Sequence, residues 1–242
     1  MGDAALAAGL PEGALNIVLG NAATGQALVD HPDIALLSFT GSTAVGKRIA
    51  ASAGHALNRA SLELGGKSAC IATADAVPEH VVRHVIGSCF LNSGQSCNSL
   101  TRLLIPASLY DTYRPLLAEA VTRLTLGDPV EASTRMGPLV SKSHRDRVRD
   151  VVIDSETQGF DLIAGGSAVA IPPSGYFIAP TIFGRVPPES ALAQQEVFGP
   201  VLSVITYETE PQAIEIANGT AYGLAAAVWA ADPDRALNIA WQ

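Results

Sequence analysis

The sequence predicts an α/β protein built around parallel strands. Short apolar runs rich in Val, Ile and Leu alternate along the 242 residues with amphipathic stretches of helical periodicity. Several of these runs are apolar throughout, which is typical of strands that helices cover on both faces. Apolar residues make up 48% of the chain and charged residues only 16%, so many elements must be buried on more than one side.

The predicted elements follow this alternation from the N-terminus onward. Residues 3–8 have the pattern of the last turns of a helix that Gly9 closes. Strands are predicted from apolar runs over residues 15–19, 34–39, 59–64, 68–72, 101–105, 176–183, 201–207 and 225–230. Helices are predicted from amphipathic spacing over residues 43–53, 78–92, 109–124, 141–158, 211–218 and 232–242. Three of them have a proline near their start, where a missing N–H costs nothing: Pro78, Pro211 and Pro233.

Charge and composition exclude several classes of function. Fifteen basic and twenty-three acidic side chains give a formal charge of −8 without any Lys/Arg block, so nucleic acid is not expected as a partner. No run approaches the roughly 18 apolar residues of a membrane span, and the N-terminus lacks the basic start of a secretory signal. We therefore expect a cytoplasmic protein without a membrane partner. Three cysteines and no metal-ligand spacing predict neither a disulfide framework nor a metal site.

Residues 38–47, S-F-T-G-S-T-A-V-G-K, form a strand, a Gly/Ser/Thr turn and a helix start. Such a turn offers free backbone N–H groups and a positive dipole end to a phosphate, and Gly41 allows close approach. The glycine spacing also resembles a triphosphate-binding loop, but Arg48 stands where that loop needs a hydroxyl. Taken alone, the segment is equally well interpreted as an N-capped helix without a ligand.

The second segment is L-E-L-G-G-K at residues 62–67, where Glu63 ends an apolar strand just before a double glycine. A carboxylate beside flexible backbone could move into and out of a cavity, as a base that serves two steps would need to do. The alternative is a solvated residue at a strand end, or an ion-pair partner for Lys67.

The third segment carries the only cysteine with the setting of a nucleophile. Cys97 lies in a polar loop, N-S-G-Q-S-C-N-S at residues 92–99, whereas Cys70 and Cys89 adjoin apolar residues typical of a buried thiol. Backbone amides of such a loop could stabilise a thiolate and an oxyanion formed on its target. A loop cysteine without any role remains the alternative.

The fourth segment is Q-E-V-F-G-P at residues 195–200. Residues two apart in an extended chain face the same side, so Glu196 could bind a sugar diol while Phe198 packs on a flat ring. A hydrophobic entry into a strand is the alternative interpretation.

Together and in this order, the segments resemble the aldehyde dehydrogenase superfamily over essentially the whole chain. The matching motifs are F-T-G-S-T-x-x-G at 39–46, E-L-G-G-K at 63–67, G-Q-x-C at 94–97, G-D-P at 127–129, M-G-P-L at 136–139, E-V-F-G-P at 196–200 and N-x-x-x-Y-G-L at 218–224. Family members are usually about twice this length, so the resemblance implies a chain truncated at both ends.

The resemblance implies a role for each matching residue. Cys97 would attack an aldehyde and Glu63 would activate the water that hydrolyses the resulting thioester to a carboxylic acid, with NAD or NADP as hydride acceptor. The amide of Cys97 would form half of an oxyanion hole. The implied cofactor contacts are Gly41 and Ser42 at the pyrophosphate, Glu196 at the nicotinamide ribose and Phe198 at the nicotinamide ring. Gly65 is a further implied cofactor contact.

The resemblance also implies a division of the chain. Residues 1–65 would be the remaining part of a Rossmann-like dinucleotide-binding domain, and residues 66–242 most of an α/β catalytic domain. We expect the full-length form to be a homo-oligomer and the chain alone to be less stable. Two other functions stay open: a cofactor-independent thiol esterase, and an inactive fragment that acts only as a binding module.

Overall fold

The structure is a computed structural model that describes all 242 residues, Met1–Gln242. The chain divides into two compact units, Met1–Leu64 and Gly65–Gln242. The assignment of a cofactor-binding role to the first and a catalytic role to the second stays a prediction.

The first unit contains three helices and a two-stranded parallel sheet. Its core consists of Leu37, Ile49 and Ala53, with a few partly buried side chains around them. The helices and strands in chain order are α1 (Gly2–Ala7), α2 (Ala22–Val29), β1 (Leu36–Thr40), α3 (Thr43–His55) and β2 (Arg59–Glu63).

The predicted strand over residues 15–19 is wrong. The structure has no strand there, and the side chains of Ile17, Val18 and Leu19 are 55%, 63% and 90% exposed. An apolar run becomes a strand only where a neighbouring strand takes up its backbone hydrogen bonds, and β1 and β2 pair only with each other. Helix α2, which the sequence did not predict, follows this run.

The second unit is a six-stranded sheet with helices on both faces. The strand order is β5-β6-β7-β4-β3-β8, and every neighbouring pair is parallel except β5 with β6. The elements are β3 (Ala69–Ala72), α4 (Pro78–Cys89), β4 (Arg102–Pro106), α5 (Tyr110–Thr122), α6 (Lys142–Thr157), β5 (Asp161–Ala164), β6 (Thr181–Gly184), α7 (Ala191–Gln194), β7 (Val201–Tyr207), α8 (Glu210–Asn218), β8 (Ala226–Trp229) and α9 (Pro233–Ala240). The predicted α/β class is confirmed.

Successive residues of the central strands supply two separate cores. Leu103 of β4 packs with α4 and α5 on one face, while Leu104 packs with α6 and α8 on the other. Both side chains are fully buried, as are most residues of β3 and β7. This two-sided burial is the physical reason why most residues of these strands are apolar.

Three details of the second unit differ from the prediction. Strand β6 covers only the end of the predicted 176–183 run, because Pro180 directly before it has no N–H to donate to a ladder. Strand β5 and the single turn α7 were not predicted, since each has four residues and too short a pattern to show a period.

Candidate active site

In the first unit, two of the sequence motifs meet at the carboxyl ends of the parallel strands. Thr40 of β1 lies opposite Glu63 of β2, and the N–H of Gly41 donates to the carbonyl oxygen of Glu63 at 3.0 Å. The Glu63 side chain is exposed. This edge of a parallel sheet is where α/β proteins usually bind their ligands.

The turn after β1 is built to leave donors free. Ser42 caps α3 by accepting the N–H of Val45 at 3.4 Å, and the first N–H groups of a helix have no partner within it. A Cβ atom at Gly41 would lie only 2.5 Å from Cζ of Phe39, so a side chain there would collide with the ring. The segment is therefore an N-capped helix whose first turn also has the donors an anion needs.

In the second unit, the three cysteines lie in different environments. Cys70 of β3 and Cys89 of α4 are completely buried, whereas Cys97 is partly exposed. Burial raises the pKa of the Cys70 and Cys89 thiols to about 12, so both stay protonated at neutral pH. Cys97 is thus the one thiol that a substrate can reach, in agreement with the distinction made from sequence.

The loop before Cys97 has an unusual backbone. Asn92, Ser93 and Gly94 all have left-handed torsions, with φ values of 50°, 59° and 72°. At Gly94 a glycine is required on two grounds, because an added side chain would also overlap the carbonyl of Gly199. Strained backbone of this kind persists only where the surrounding contacts fix it.

Two of those contacts come from the M-G-P-L segment and from Val140, the residue that directly follows it. The Ser93 hydroxyl donates to the carbonyl of Gly137 at 2.8 Å, and the side-chain oxygen of Gln95 accepts the N–H of Val140 at 2.9 Å. The side chains of Asn92 and Gln95 also donate to each other's carbonyl oxygens. Two motifs that are distant in sequence therefore form one rigid support for Cys97.

The backbone at Cys97 has the features of an anion-stabilising position. Its N–H donates to no acceptor in the chain. Its carbonyl lies against Gly66, where any side chain would overlap the carbonyl oxygen. The amide is thus available to an external oxyanion, and the double glycine is needed for close packing.

Glu196 lies beside the same double glycine. Its Oε1 accepts the N–H of Gly66 at 3.2 Å, and a side chain at Gly65 would overlap its Oε2. Burial raises the pKa of Glu196, while the hydrogen bond from Gly66 and the positive charge of Lys67 act in the opposite direction. The structure therefore brings Gly65, Glu196 and the Cys97 loop together within the second unit.

Phe198 is the aromatic residue of this segment. It is a non-glycine residue with a left-handed backbone, at a φ of 54°, and its side chain is 38% exposed. The contacts of this ring and of Glu196 with a cofactor stay a prediction.

Two buried residues near the site were missed from sequence. His144 in the first turn of α6 contacts the Phe198 carbonyl through Nε2 at 2.6 Å. Arg102, directly after the cysteine loop, is 2% exposed and donates to the carbonyls of Lys67, Ile216 and Ala217 at 2.7–2.8 Å. The signal that could have revealed Arg102 is a basic residue at the start of an otherwise apolar strand. A histidine on an amphipathic helix, such as His144, gives no such signal.

Lys67 is a second buried cation in this region. It is 2% exposed, and its ammonium group has no hydrogen-bond partner. Its pKa is lowered to about 8, mainly by burial and to a smaller extent by the charge of Arg102, whereas Cys89 and Glu196 act to raise it. Lys67 is therefore poorly accommodated as a charged group.

Two kinds of feature are absent from the chain. No group of three or more His, Cys, Asp or Glu side chains is arranged to hold a metal ion. None of the helices combines the length and the hydropathy that crossing a bilayer requires.

Comparison with known proteins places this arrangement in a family. A family model described as the aldehyde dehydrogenase family matches residues 1–242. Among curated proteins, a geranial dehydrogenase of Castellaniella defragrans is 42% identical over 240 residues, covering 99% of this chain and 50% of the relative. A betaine aldehyde dehydrogenase of Sinorhizobium fredii is 37% identical over 233 residues, covering 96% and 48%.

Solved structures show the same fold. A Mycobacterium tuberculosis aldehyde dehydrogenase complexed with NAD+ matches with a TM-score of 0.93 and 41% identity, over 96% of this chain and 48% of that one. A Pseudomonas syringae indole-3-acetaldehyde dehydrogenase, a cysteine-to-alanine mutant in complex with NAD+ and IAA, matches with 0.94 and 37%, over 98% and 49%. The chain thus spans about half the length of the relatives it matches.

Proposed function

The chain belongs to the aldehyde dehydrogenase family, and on that premise we propose that it oxidises an aldehyde to a carboxylic acid with a nicotinamide dinucleotide. The observation that carries the proposal is the selective accessibility of Cys97 among the three thiols. This thiol lies in a polar loop, and its own backbone N–H is unpaired, which is the setting of a nucleophile rather than of a packing residue.

The first step is addition of the Cys97 thiolate to the carbonyl carbon of the aldehyde. The C=O electron pair moves to oxygen, and the resulting oxyanion accepts the unpartnered N–H of Cys97. In comparable sites, one such donor contributes roughly 3 kcal/mol to transition-state stabilisation. The left-handed turn at residues 92–94 and its ties to Gly137 and Val140 hold the amide in place before the substrate arrives.

The residues present fit a dinucleotide. In the first unit, the capped N-terminus of α3 at Gly41 and Ser42 has donors suited to the pyrophosphate. In the second, Glu196 has carboxylate oxygens for a ribose diol and contacts Gly65, while the exposed ring of Phe198 suits the nicotinamide. A bound NAD or NADP supplies the acceptor for the hydride that leaves the carbon attached to Sγ, so that a thioester remains on Cys97.

Glu63 is the proposed base for the second half of the reaction. Its carboxylate takes a proton from a water molecule, the hydroxide oxygen adds to the thioester carbon, and the C–S bond breaks to release the carboxylic acid. The Cys97 sulfur leaves as a thiolate, ready for another turnover. Glu63 stands at the exposed end of β2 and is followed by the double glycine, which supports such a mobile role.

The experiment is aldehyde-dependent formation of the reduced cofactor, followed at 340 nm with the purified chain and a panel of aliphatic and aromatic aldehydes. We expect turnover by the wild-type chain, loss of turnover in Cys97→Ala, and retention in the matched control Cys70→Ala. Glu63→Gln should form the acyl adduct on Cys97 but release it roughly a hundredfold or more slowly, since general-base catalysis contributes that much.

The same assay distinguishes the proposed function from the two other functions. Hydrolysis of nitrophenyl esters that depends on Cys97, without any aldehyde-dependent cofactor reduction, would indicate a thiol esterase and contradict the proposal. Absence of both activities, together with equal labelling of all three thiols, would indicate a binding module. The aldehyde itself, the choice between NAD and NADP, the homo-oligomeric state and the cytoplasmic location stay predictions.

A further inference from the structure

The Phe198 backbone is held by a histidine that the proposed reaction does not yet use. Phe198 has a left-handed φ of 54°, which is uncommon for a non-glycine residue, so its conformation depends on neighbouring contacts. The shortest of these is the 2.6 Å contact between the Phe198 carbonyl oxygen and Nε2 of His144. His144 is itself only 6% exposed.

The direction of this hydrogen bond follows from a second contact. Nη2 of Arg147 lies 3.1 Å from Nδ1 of His144. An arginine can only donate, so Nδ1 must be the unprotonated, accepting nitrogen. In the neutral ring Nε2 then carries the hydrogen and donates it to Phe198. Arg147 therefore selects the one tautomer that can hold the carbonyl.

Helix α6 provides a fixed base for the histidine. The N–H of His144 donates to the hydroxyl of Ser141, the residue that caps the helix, at 3.2 Å. One turn later, Val148 packs so closely on Gly199 that a side chain there would lie 2.7 Å from its Cγ2. The rings of His144 and Phe198 also contact each other, with centroids 6.1 Å apart. One helix face thus contacts the carbonyl, the ring and the following glycine.

We propose that His144 is a positioning residue that fixes Phe198, through Nε2–H donation to its carbonyl, in the orientation in which its ring meets the nicotinamide. This rests on the proposed function for the role of the ring, but not for the hydrogen bond. Without the donor, the left-handed backbone loses a contact that compensates for its strain, and the ring becomes free to turn away.

The test compares three variants with the wild-type chain. His144→Gln keeps an N–H donor at about the same reach, and His144→Leu keeps a similar bulk without a donor. His144→Asn has the donor but is too short to reach, and it serves if the leucine variant does not fold. Asp150→Asn, on the exposed side of α6, is the matched control.

The first readout is amide hydrogen exchange of residues 196–201, which needs no cofactor. We expect exchange to be roughly tenfold faster in His144→Leu and His144→Asn, the factor that one hydrogen bond of ordinary strength represents. His144→Gln and Asp150→Asn should stay within about twofold of the wild type.

The second readout is the affinity for NAD+ measured by calorimetry, with the KM values for NAD+ and aldehyde as a kinetic companion. The variants without a reaching donor should bind NAD+ roughly tenfold more weakly, with an unchanged KM for the aldehyde. If His144→Leu bound NAD+ as tightly as the wild type, or if His144→Gln bound it as weakly as His144→Leu, the assignment would be overturned. If the wild-type chain binds no NAD+, the proposed function fails, and exchange at residues 196–201 alone decides the role of His144.

Discussion

The two units of the molecule differ in how much apolar surface they bury internally. Unit Gly65–Gln242 encloses its six-stranded sheet between two clusters of 20 and 17 buried side chains, whereas unit Met1–Leu64 has a cluster of three. Each unit carries part of the proposed chemistry. Cys97, Glu196 and Phe198 lie in unit Gly65–Gln242, and Gly41, Ser42 and Glu63 lie in unit Met1–Leu64. Internal packing therefore holds the nucleophile far more firmly than the base.

The largest expected effect comes from removing the buried arginine that ties the sheet of the larger unit to α8. Arg102→Met leaves three carbonyls without donors, so we expect a loss of about 3 to 5 kcal/mol in the free energy of unfolding of that unit. Urea denaturation followed by circular dichroism measures it. Arg102→Lys should lose less than Arg102→Met because its ammonium group can still donate to some of these carbonyls, but it should lose some stability because it cannot reach all three.

If both variants unfold with the wild-type midpoint, the internal contacts of the larger unit are not what stabilises it. The claim that the larger unit is stabilised by its internal contacts would then be wrong.

The second prediction concerns the other buried cation of the larger unit. Burial lowers the pKa of Lys67 to about 8, so between pH 8 and the ordinary lysine pKa of 10.5 the unfolded chain binds more protons than the folded one. In that window the free energy of unfolding rises with pH, by roughly 3 kcal/mol from this residue alone. Below pH 8 the full cost of the buried charge is present.

Lys67→Met should remove this rise and stabilise the chain near neutral pH, since an apolar side chain of similar length needs no partner. Subtracting the variant's pH profile of unfolding from that of the wild type cancels the opposite contribution of Cys70, whose raised pKa costs stability above pH 9. Up to pH 9 the interaction of Lys67 with Cys89 does not enter, because the Cys89 thiol stays protonated in the folded chain. If the difference in the free energy of unfolding between the wild type and Lys67→Met did not change between pH 7 and 10, the lowered pKa of Lys67 would be contradicted.

The smallest effect is expected in the smaller unit. Ile49→Ala removes one of the two large side chains of its three-residue core, at a cost of about 2 kcal/mol or more, and should accelerate amide exchange in α3 and β1 only. Exchange in β4 and β7 should not change, because their protection comes from the two large clusters of the other unit. Equal acceleration in both units would mean that they unfold together, and the comparison between them would fail.

The sequence predicted the elements whose pattern is set by burial on two sides. The runs of β3, β4 and β7 are buried on both faces and mostly apolar, and the amphipathic stretches of α4, α5 and α6 match one covered face. The error at residues 15–19 has the same origin. Apolar composition predicts burial, but a strand also needs a neighbour for its backbone, which composition does not encode.

The site was predictable where chemistry restricts the residue type. Cys97 was distinguished from Cys70 and Cys89 by polar neighbours alone, and their burial agrees. His144 could not be found, because its function depends on a carbonyl 54 residues away and a neutral ring that only the contact with Arg147 reveals. The three left-handed residues before Cys97 were equally hidden, since Asn and Ser occur in ordinary turns.

The most direct test of the central claim, that Cys97 is the accessible nucleophile of the chain, is competitive alkylation with iodoacetamide under native conditions, followed by peptide mapping. We predict that Cys97 is modified at least about a hundredfold faster than Cys70 and Cys89, because the two buried thiols react only when the structure opens. In urea all three should react at similar rates. Modification of Cys97 no faster than that of the buried thiols in the folded chain would contradict the account.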